Sequence, residues 1–195
     1  GYQRFMQSQD IEEAMGELDT FKILCAHNSG EYGTLQINHL TEKILRSQFK
    51  FDIQKRLKKR VIMINTNDYQ KKLFNGDTGV VVETEYEDTV YFKDRKDRIK
   101  TYRYSDLPKH ETAYGITIHK SQGAEFDSIL LIIPDKLSPV MTRQLLYTGV
   151  TRAKTKIIIV GRLNMIKKAM NVDVIRNSGL PSCLRNEIKN YEKNN

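Results

Sequence analysis

The pattern of apolar and polar positions predicts alternating helices and strands in the first third of the chain. Apolar residues spaced as on one helix face predict helices near residues 11–18 and 37–45, the second with Asn38 as a candidate cap. Apolar runs at 21–26 and 61–64 predict strands. This order of elements favours an α/β domain.

The rest of the chain changes its pattern twice. Between residues 66 and 110, short apolar runs around polar turns predict a small antiparallel β unit rich in Lys, Arg and Tyr. Continuous apolar runs at 129–133 and 157–160 predict parallel strands covered on both faces, and the helical pattern at 138–150 completes a βαβ unit. The predicted organisation is a helical lead-in at 1–20, an α/β domain at 21–65 and 111–175, a β insert at 66–110 and a polar tail at 176–195.

Composition narrows the class of protein. The chain has 195 residues and only 4 prolines, with 39% hydrophobic residues, so we expect a folded domain rather than a disordered chain. The longest apolar run, 129–133, is far too short to cross a bilayer and no signal segment opens the chain, so we expect a cytoplasmic protein without membrane association. Cys25 and Cys183 are too few for a disulfide scaffold or a four-cysteine zinc site. Because the chain begins at Gly1, we also expect a piece of a longer protein.

The formal net charge of +8 indicates a polyanionic partner. Residues 1–49 hold 4 basic and 7 acidic residues, a net charge of −3, so the positive excess lies further along the chain. The densest cationic cluster consists of Lys50, Lys55, Arg56, Lys58, Lys59 and Arg60. A solvated helix face and a phosphate-binding surface are both compatible with this cluster.

The segment 113–126 concentrates polar side chains beside a glycine. A short strand-like stretch leads into a loop, and an apolar strand follows. Five of the six positions from 117 to 122 are polar: Thr117, His119, Lys120, Ser121 and Gln122. Hydroxyls, amides and backbone N–H groups suit phosphate oxygens, but the same composition also fits an ordinary hydrophilic loop. His119 has neither a Ser-His-Asp set nor a metal-ligand spacing around it, so no metal site is predicted.

A second segment, 145–154, places Arg152 between a predicted helix and the strand at 157–160. A guanidinium fixed there could bind a phosphate with two N–H groups, or it could balance the dipole at the helix end. No glycine in the chain is followed by lysine, so the sequence contains no P-loop, and no Gly-x-Gly-x-x-Gly is present. The chain therefore contains candidate phosphate contacts without a phosphate cradle.

Together the two segments carry a family resemblance. Thr-Ile-His-Lys-Ser-Gln-Gly-Ala-Glu-Phe at 117–126 and Tyr-Thr-Gly-Val-Thr-Arg-Ala at 147–153 resemble motifs V and VI of superfamily 1 helicases, in the RecD/TraA branch that includes the exodeoxyribonuclease V alpha subunit. Residues 23–38 resemble the start of the second RecA-like domain of that branch, and residues 67–79 the start of its SH3-like insert. The resemblance implies a RecA-like parallel sheet flanked by helices, with a small antiparallel SH3-like β-barrel insert.

The resemblance also implies roles for individual residues. Arg152 resembles the motif VI arginine finger, which reaches the γ-phosphate of ATP bound on the other RecA-like domain and stabilises the transition state. The candidate ligands are ATP for Gln122, Gly123, Glu125 and Arg152, and DNA for Thr117, His119, Lys120 and Ser121. Thr148 and Thr151 are expected to hold motif VI in shape. The implied cofactors are ATP and Mg²⁺, bound mainly by the first RecA-like domain, which this chain lacks. No arginine lies between Phe21 and Thr41, so the family's motif IV arginine has no match there.

We therefore expect the C-terminal motor domain of an ATP-dependent DNA helicase that translocates on single-stranded DNA, in the 5′ to 3′ direction by analogy, and unwinds duplex. Its implied partners are single-stranded and duplex DNA, the first RecA-like domain of the same protein, and nuclease and helicase subunits of an exodeoxyribonuclease V complex. The isolated chain is expected to be inactive. The alternative is a non-catalytic module for single-stranded nucleic acid, whose affinity comes from the insert and the cluster at 50–60, with Tyr86, Tyr91, Phe92, Tyr102 and Tyr104 as stacking or core residues.

Overall fold

The computed structural model describes residues 1–49, 58–94 and 96–172. The helices in these ranges are α1 Gln3–Gln7, α2 Ile11–Thr20, α3 Thr34–Gln48, α4 Arg143–Val150 and α5 Leu163–Met170. The strands are β1 Phe21–Cys25, β2 Lys58–Ile64, β3 Thr78–Glu83, β4 Thr89–Lys93, β5 Ile99–Arg103, β6 His110–Thr112, β7 Gly115–Thr117, β8 Phe126–Ile132 and β9 Ala153–Val160. Lys50, Lys55, Arg56, Cys183 and the predicted tail at 176–195 lie outside the described residues.

A parallel sheet forms the centre of the predicted α/β domain. Its strand order is β7-β1-β8-β9, and every neighbouring pair runs parallel. β1 has a strand on each side, and its residues from Lys22 to Cys25 are buried, as expected of a strand covered on both faces. β8, α4 and β9 form the predicted βαβ unit, although α4 begins only at Arg143, where Thr142 Oγ1 caps the Leu145 N–H at 3.2 Å. The parallel sheet with flanking helices is therefore confirmed.

β9 departs from its prediction. Its apolar run was expected to be covered on both faces, but Ile158, Ile159 and Val160 are 43–49% exposed. The reason is position, since β9 lies at one edge of the parallel sheet and pairs with β8 alone among the described strands. A continuous apolar run indicates a buried strand only when neighbours cover it from every side.

The second sheet is antiparallel and has the order β5-β4-β3-β2-β6. It includes β2 and β6, so its strand pairing extends over 58–112, beyond the predicted insert at 66–110. The strand predicted at 61–64 is present, but it belongs to this sheet rather than to the parallel one. Its run is continuously apolar because Val61 and Met63 face the main core while Ile62 and Ile64 face a smaller core of the antiparallel sheet.

The helices of the predicted lead-in at 1–20 contribute side chains to the main core. Tyr2, Phe5 and Met6 are at most 5% exposed, and the Tyr2 hydroxyl donates to Tyr114 O. From β2, the buried Lys59 Nζ donates to Ser8 Oγ at 2.6 Å. These contacts tie the two ends of α1 to β2 and to the link between β6 and β7. In the described part of the chain, no helix has the length and apolar character to cross a membrane.

Candidate functional site

The segment after β7 crosses the parallel sheet from one end to the other. β7 ends at Thr117 beside the end of β1, whereas β8 begins at Phe126 near the start of β1. Because β7 and β8 flank β1 and run parallel to it, residues 118–125 return from the carboxyl ends of the strands to their amino ends. The candidate site residues are therefore distributed over two places, one at each end of the sheet.

At the amino ends of the strands, Arg152 joins the two segments that resemble helicase motifs. Its Nη1 donates to Ala124 O at 3.1 Å. Its backbone carbonyl accepts from the Phe126 N–H at 2.9 Å. These contacts fix the end of the 118–125 segment against the start of β9, so the structure brings the two segments together.

The Arg152 side chain also closes the end of α4. Nε donates to Thr148 O at 3.1 Å and Nη2 donates to Thr151 Oγ1 at 3.3 Å. Thr148 O belongs to the last helical turn, so the helix-end interpretation of Arg152 describes an actual contact. The contacts to described residues use Nε and one N–H of each terminal nitrogen, so one N–H remains on Nη1 and one on Nη2 as a possible donor to a phosphate. The two interpretations are thus compatible, and the hydroxyls of Thr148 and Thr151 donate to backbone carbonyls, as expected of residues that hold this turn in shape.

Gly123 makes the turn that leads towards Arg152. Its φ of +86° lies in the left-handed region, which favours glycine. A Cβ there would meet no atom within 4 Å, so backbone conformation rather than crowding requires the glycine. Gln122 and Glu125 flank this turn, and both are exposed, as is Gly123, so three of the four residues predicted to approach ATP are accessible. The fourth, Arg152, is partly buried.

The residues predicted to contact DNA divide into accessible and inaccessible ones. His119 is exposed, and Thr117 is partly buried with its Oγ1 accepting from the Lys120 N–H at 3.3 Å. Ser121 is 0% exposed, and its hydroxyl donates to Ile118 O at 2.7 Å. The prediction that Ser121 contacts DNA does not fit this placement, because its side chain stabilises the turn from inside.

Lys120 is engaged by side chains of the antiparallel sheet. Its Nζ donates to Glu111 Oε1 at 2.6 Å and to Asn65 Oδ1 at 2.9 Å. Asn65 Nδ2 in turn donates to Glu111 Oε2 at 3.1 Å, which closes a ring of three side chains. The ammonium group predicted to contact DNA therefore already has two partners within the protein.

Asn38 supports the site in a way that the sequence analysis missed. It lies inside α3, which begins at Thr34 after the N-cap Gly33, so its predicted role as a cap is wrong. The side chain instead donates to Thr112 O at 2.7 Å and Gly115 O at 2.9 Å, and accepts from the Gly115 N–H at 2.7 Å. It thereby fixes the start of β7. The available signal was its helical spacing from Thr34, another polar residue on the buried face.

The loop after β1 is held at the carboxyl ends of the strands. His27 Nε2 lies 2.8 Å from Ser138 Oγ, and the Tyr32 hydroxyl donates to Asp135 Oδ2 at 2.9 Å. Arg162 Nη2 lies 3.1 Å from the same carboxylate oxygen. An arginine therefore approaches this loop from the end of β9, although none occurs within the loop itself.

The antiparallel sheet carries charge and aromatic surface. A cavity of about 580 Å³ has apolar walls that include Phe92 and Tyr102 and a rim with five cationic residues: Lys72, Lys93, Lys96, Arg98 and Lys100. Asp94 lies on this rim, where the Lys96 N–H and the Arg98 guanidinium lower the pKa of its carboxyl to about 2.

Of the aromatics considered for stacking, Phe92 is 3% exposed and Tyr86 is 97% exposed. Tyr91, Tyr102 and Tyr104 are partly buried core residues, so Tyr86 alone of the five presents a free ring.

Two of the three described residues of the cationic cluster, which lie in β2, make contacts inside the protein. Lys59 is 4% exposed, and Arg60 Nη2 donates to Asp88 Oδ2 at 2.9 Å while its guanidinium stacks on Tyr104. Lys58 is exposed. Two of the three described cations are thus occupied within the protein, which weakens the interpretation of this cluster as a phosphate-binding surface.

Metal and thiol chemistry find little support in the part of the chain that the structure describes. No group of three or more His, Cys, Asp or Glu side chains there could hold a metal ion. Cys25 is buried in β1, and this burial raises the pKa of its thiol to about 12, far from the reactive range.

Comparisons with known sequences agree with the two motifs. The family model for the UvrD-like helicase C-terminal domain matches residues 112–160. The RecBCD enzyme subunit RecD of Mycolicibacterium smegmatis is 36% identical over 90% of this chain and 31% of its own length. The corresponding subunit of Haemophilus influenzae is 39% identical over 63% of this chain and 18% of its own length. The chain thus spans about a third or less of these relatives.

Solved structures agree on the fold. The Pif1 helicase from Bacteroides in complex with ADP-AlF3 and single-stranded DNA matches with a TM-score of 0.53 and 18% identity, over 88% of this chain and 46% of that one. Pif1 helicase from Candida albicans matches with a TM-score of 0.53 and 13% identity, over 94% of this chain and 54% of that one. At such identities the likeness concerns the fold alone.

Proposed function

We propose that this chain, whose sequence resembles the C-terminal region of RecD-type superfamily 1 helicases, is the second motor domain of an ATP-dependent DNA helicase. The observation that carries the proposal is the position of Arg152. It joins the two helicase-like segments through Ala124 O, yet retains one N–H on each terminal nitrogen among its described contacts. A guanidinium held in this way is oriented before any phosphate arrives.

In this proposal Arg152 is the arginine finger. ATP would bind on a preceding RecA-like domain, and Arg152 would donate to the γ-phosphate as charge develops during phosphoryl transfer, a contribution of roughly 10³–10⁵ in rate. Gln122, Gly123 and Glu125 lie on the same exposed turn and would line the near side of the nucleotide. ATP and Mg²⁺ would be held mainly by the other domain, because the sequence here has no P-loop and the described residues include no group of three or more His, Cys, Asp or Glu side chains that could hold a metal ion. The nucleotide would supply the energy for closing and opening the cleft.

Single-stranded DNA would contact the opposite end of the 118–125 segment. Thr117 and His119 lie there, at the carboxyl ends of the strands, where open α/β sheets bind their ligands. The antiparallel sheet would form an SH3-like barrel beside the path of the strand, and the exposed ring of Tyr86 would offer a stacking surface. Because one short segment would contact both DNA and ATP, hydrolysis of ATP would change the affinity of the segment for single-stranded DNA. Such changes would give stepwise 5′ to 3′ translocation and duplex unwinding.

The relatives suggest wider partners. Two of them are named as subunits of a RecBCD enzyme, so nuclease and helicase subunits of an exodeoxyribonuclease V complex are proposed partners, in addition to single-stranded and duplex DNA. Such a function would place the protein in the cytoplasm. The alternative of a non-catalytic binding module loses support, because Lys59 and Arg60 are engaged inside the protein.

The test compares the isolated 195-residue chain with the longer protein that contains it. We expect the isolated chain to show no ATP turnover above a denatured control, and the longer protein to hydrolyse ATP faster when single-stranded DNA is added and to displace a strand from a 5′-tailed duplex. Turnover by the pure isolated chain would contradict the assignment of the nucleotide cradle to another domain. Salt-sensitive DNA binding by the longer protein without any ATP turnover would favour the non-catalytic module.

A further inference from the structure

Three side chains connect the helicase-like segment to the antiparallel sheet. Asn65 follows β2, Glu111 lies in β6 and Lys120 lies in the segment after β7. Lys120 Nζ bonds Glu111 Oε1 at 2.6 Å and Asn65 Oδ1 at 2.9 Å, and Asn65 Nδ2 bonds Glu111 Oε2 at 3.1 Å. We call this ring of Asn65, Glu111 and Lys120 the latch.

The latch is better suited to positioning than to direct DNA binding. An ammonium group has three N–H donors, and two of them are used by partners on the antiparallel sheet. The side chains of Lys120 and Glu111 are 29% and 26% exposed, so the pair is partly shielded from water and less weakened by salt than a fully exposed pair. A DNA phosphate could use only the third N–H of Lys120 unless it displaced a charge-assisted hydrogen bond.

The latch continues into the residues proposed to contact DNA. The Lys120 N–H donates to Thr117 Oγ1 at 3.3 Å, so the position of Lys120 is linked directly to that of Thr117. On the other side, only Ala113 and Tyr114 separate β6 from β7, and both are buried. A displacement of the antiparallel sheet would therefore pull on the 118–125 segment at two points, through the backbone and through the latch.

We propose that the latch of Asn65, Glu111 and Lys120 is a positioning device that transmits DNA engagement by the antiparallel sheet to the ATP-contacting end of the 118–125 segment. Lys120 is thereby assigned to coupling instead of DNA contact. This inference rests on the proposed helicase function. It concerns how DNA binding changes ATP turnover, a question that the assignment of individual residues to DNA or ATP does not answer.

The test uses the longer protein and measures three quantities: the stimulation of ATP turnover by single-stranded DNA, the Kd for that DNA and the melting temperature. Lys120→Met removes the cation of the latch and Glu111→Gln removes the negative charge of its partner, so each weakens the latch, and the exchange of both residues (K120E with E111K) restores an ion pair. Lys109→Met is the matched control, because Lys109 is an exposed cation next to β6 and its side chain is outside the latch. We expect each single variant to reduce the stimulation at least fivefold with less than a twofold change in DNA affinity, the exchange to restore at least half, and the control to resemble wild type.

Other outcomes would overturn the proposal in distinguishable ways. A weakened DNA affinity in Lys120→Met and in the exchange, with normal affinity in Glu111→Gln, would mean that Lys120 contacts phosphate directly. A lowered melting temperature with unchanged stimulation in both single variants would mean that the ring is only structural. If the wild-type protein showed no ATP turnover, the proposed function would fail, and amide hydrogen exchange at residues 117–122 would still decide whether opening the latch loosens that segment.

Discussion

Replacing Asn38 with alanine tests how the start of β7 is held in place. The substitution removes three hydrogen bonds: those to Thr112 O and Gly115 O, and that from the Gly115 N–H. Asn38 is 6% exposed, so water does not easily replace the lost partners. β7 is an edge strand, and the Gly115 N–H would lose the side-chain acceptor that it has in the structure. Each buried polar group left without a partner costs about 1–3 kcal/mol, and since these groups are neighbours we expect a combined loss of about 3 kcal/mol.

The assay is urea unfolding of the 195-residue chain, followed by far-ultraviolet circular dichroism at pH 7. Asn164→Ala is the control, because Asn164 is an exposed residue of α5 and alanine is a good helix former. We expect the free energy of unfolding to fall by about 3 kcal/mol for Asn38→Ala and to change by less than about 0.5 kcal/mol for the control. A loss below about 1 kcal/mol for Asn38→Ala would refute the reasoning, because it would mean that these backbone groups find other partners without cost.

Two further stability predictions concern glycine conformation and a buried lysine. Gly123→Ala should lower the free energy of unfolding by about 1 kcal/mol, because the φ of Gly123 is +86°, a conformation that alanine disfavours. Gly16→Ala should raise the free energy of unfolding by about 0.5–1 kcal/mol, because Gly16 lies inside α2, where alanine is favoured. Equal effects of the two substitutions in urea unfolding would contradict this contrast. Lys22 is buried in β1, and this burial lowers the pKa of its ammonium group from 10.5 to about 8. Between pH 8 and pH 10 the unfolded chain therefore binds a proton at Lys22 that the folded chain has released. Wild-type stability should therefore rise with pH relative to Lys22→Met, by about 2 kcal/mol from pH 8 to pH 10, and a constant difference across that window would show that Lys22 titrates normally.

Local apolar patterns were sufficient to predict most helices and strands, but they could not predict to which sheet a strand belongs. The helix at α2 and the unit β8-α4-β9 follow from apolar spacing over short windows. β2 was assigned to the wrong sheet because an apolar run has the same appearance in a parallel strand and in an antiparallel strand between two cores. The exposure of β9 likewise depends on a neighbour rather than on its own residues.

The candidate site shows the same division. Motif resemblance assigned both Arg152 and Gly123 to the nucleotide, and in the structure Arg152 Nη1 donates to the carbonyl of Ala124, the residue after Gly123. The partners of Lys120 could not be predicted, because Asn65 is 55 positions away in the sequence. Asn38 was mistaken for a cap because the same amide that caps helix ends can also bridge a helix to a strand. A polar residue in the sequence thus predicts that its side chain will form hydrogen bonds, but its partners depend on the fold.

The central claim is that Arg152 completes an ATP site whose cradle lies on another domain. Its most direct test is ATP turnover and ATP binding by the longer protein carrying Arg152→Ala, with Lys154→Ala as the control for loss of a neighbouring, exposed cation. We predict that Arg152→Ala lowers DNA-stimulated kcat by about 10³ or more, as for other arginine fingers, while the Kd for ATP stays within about threefold. Lys154→Ala should behave as wild type. Turnover by Arg152→Ala within a few-fold of wild type would contradict the claim and leave Arg152 as the residue that closes α4.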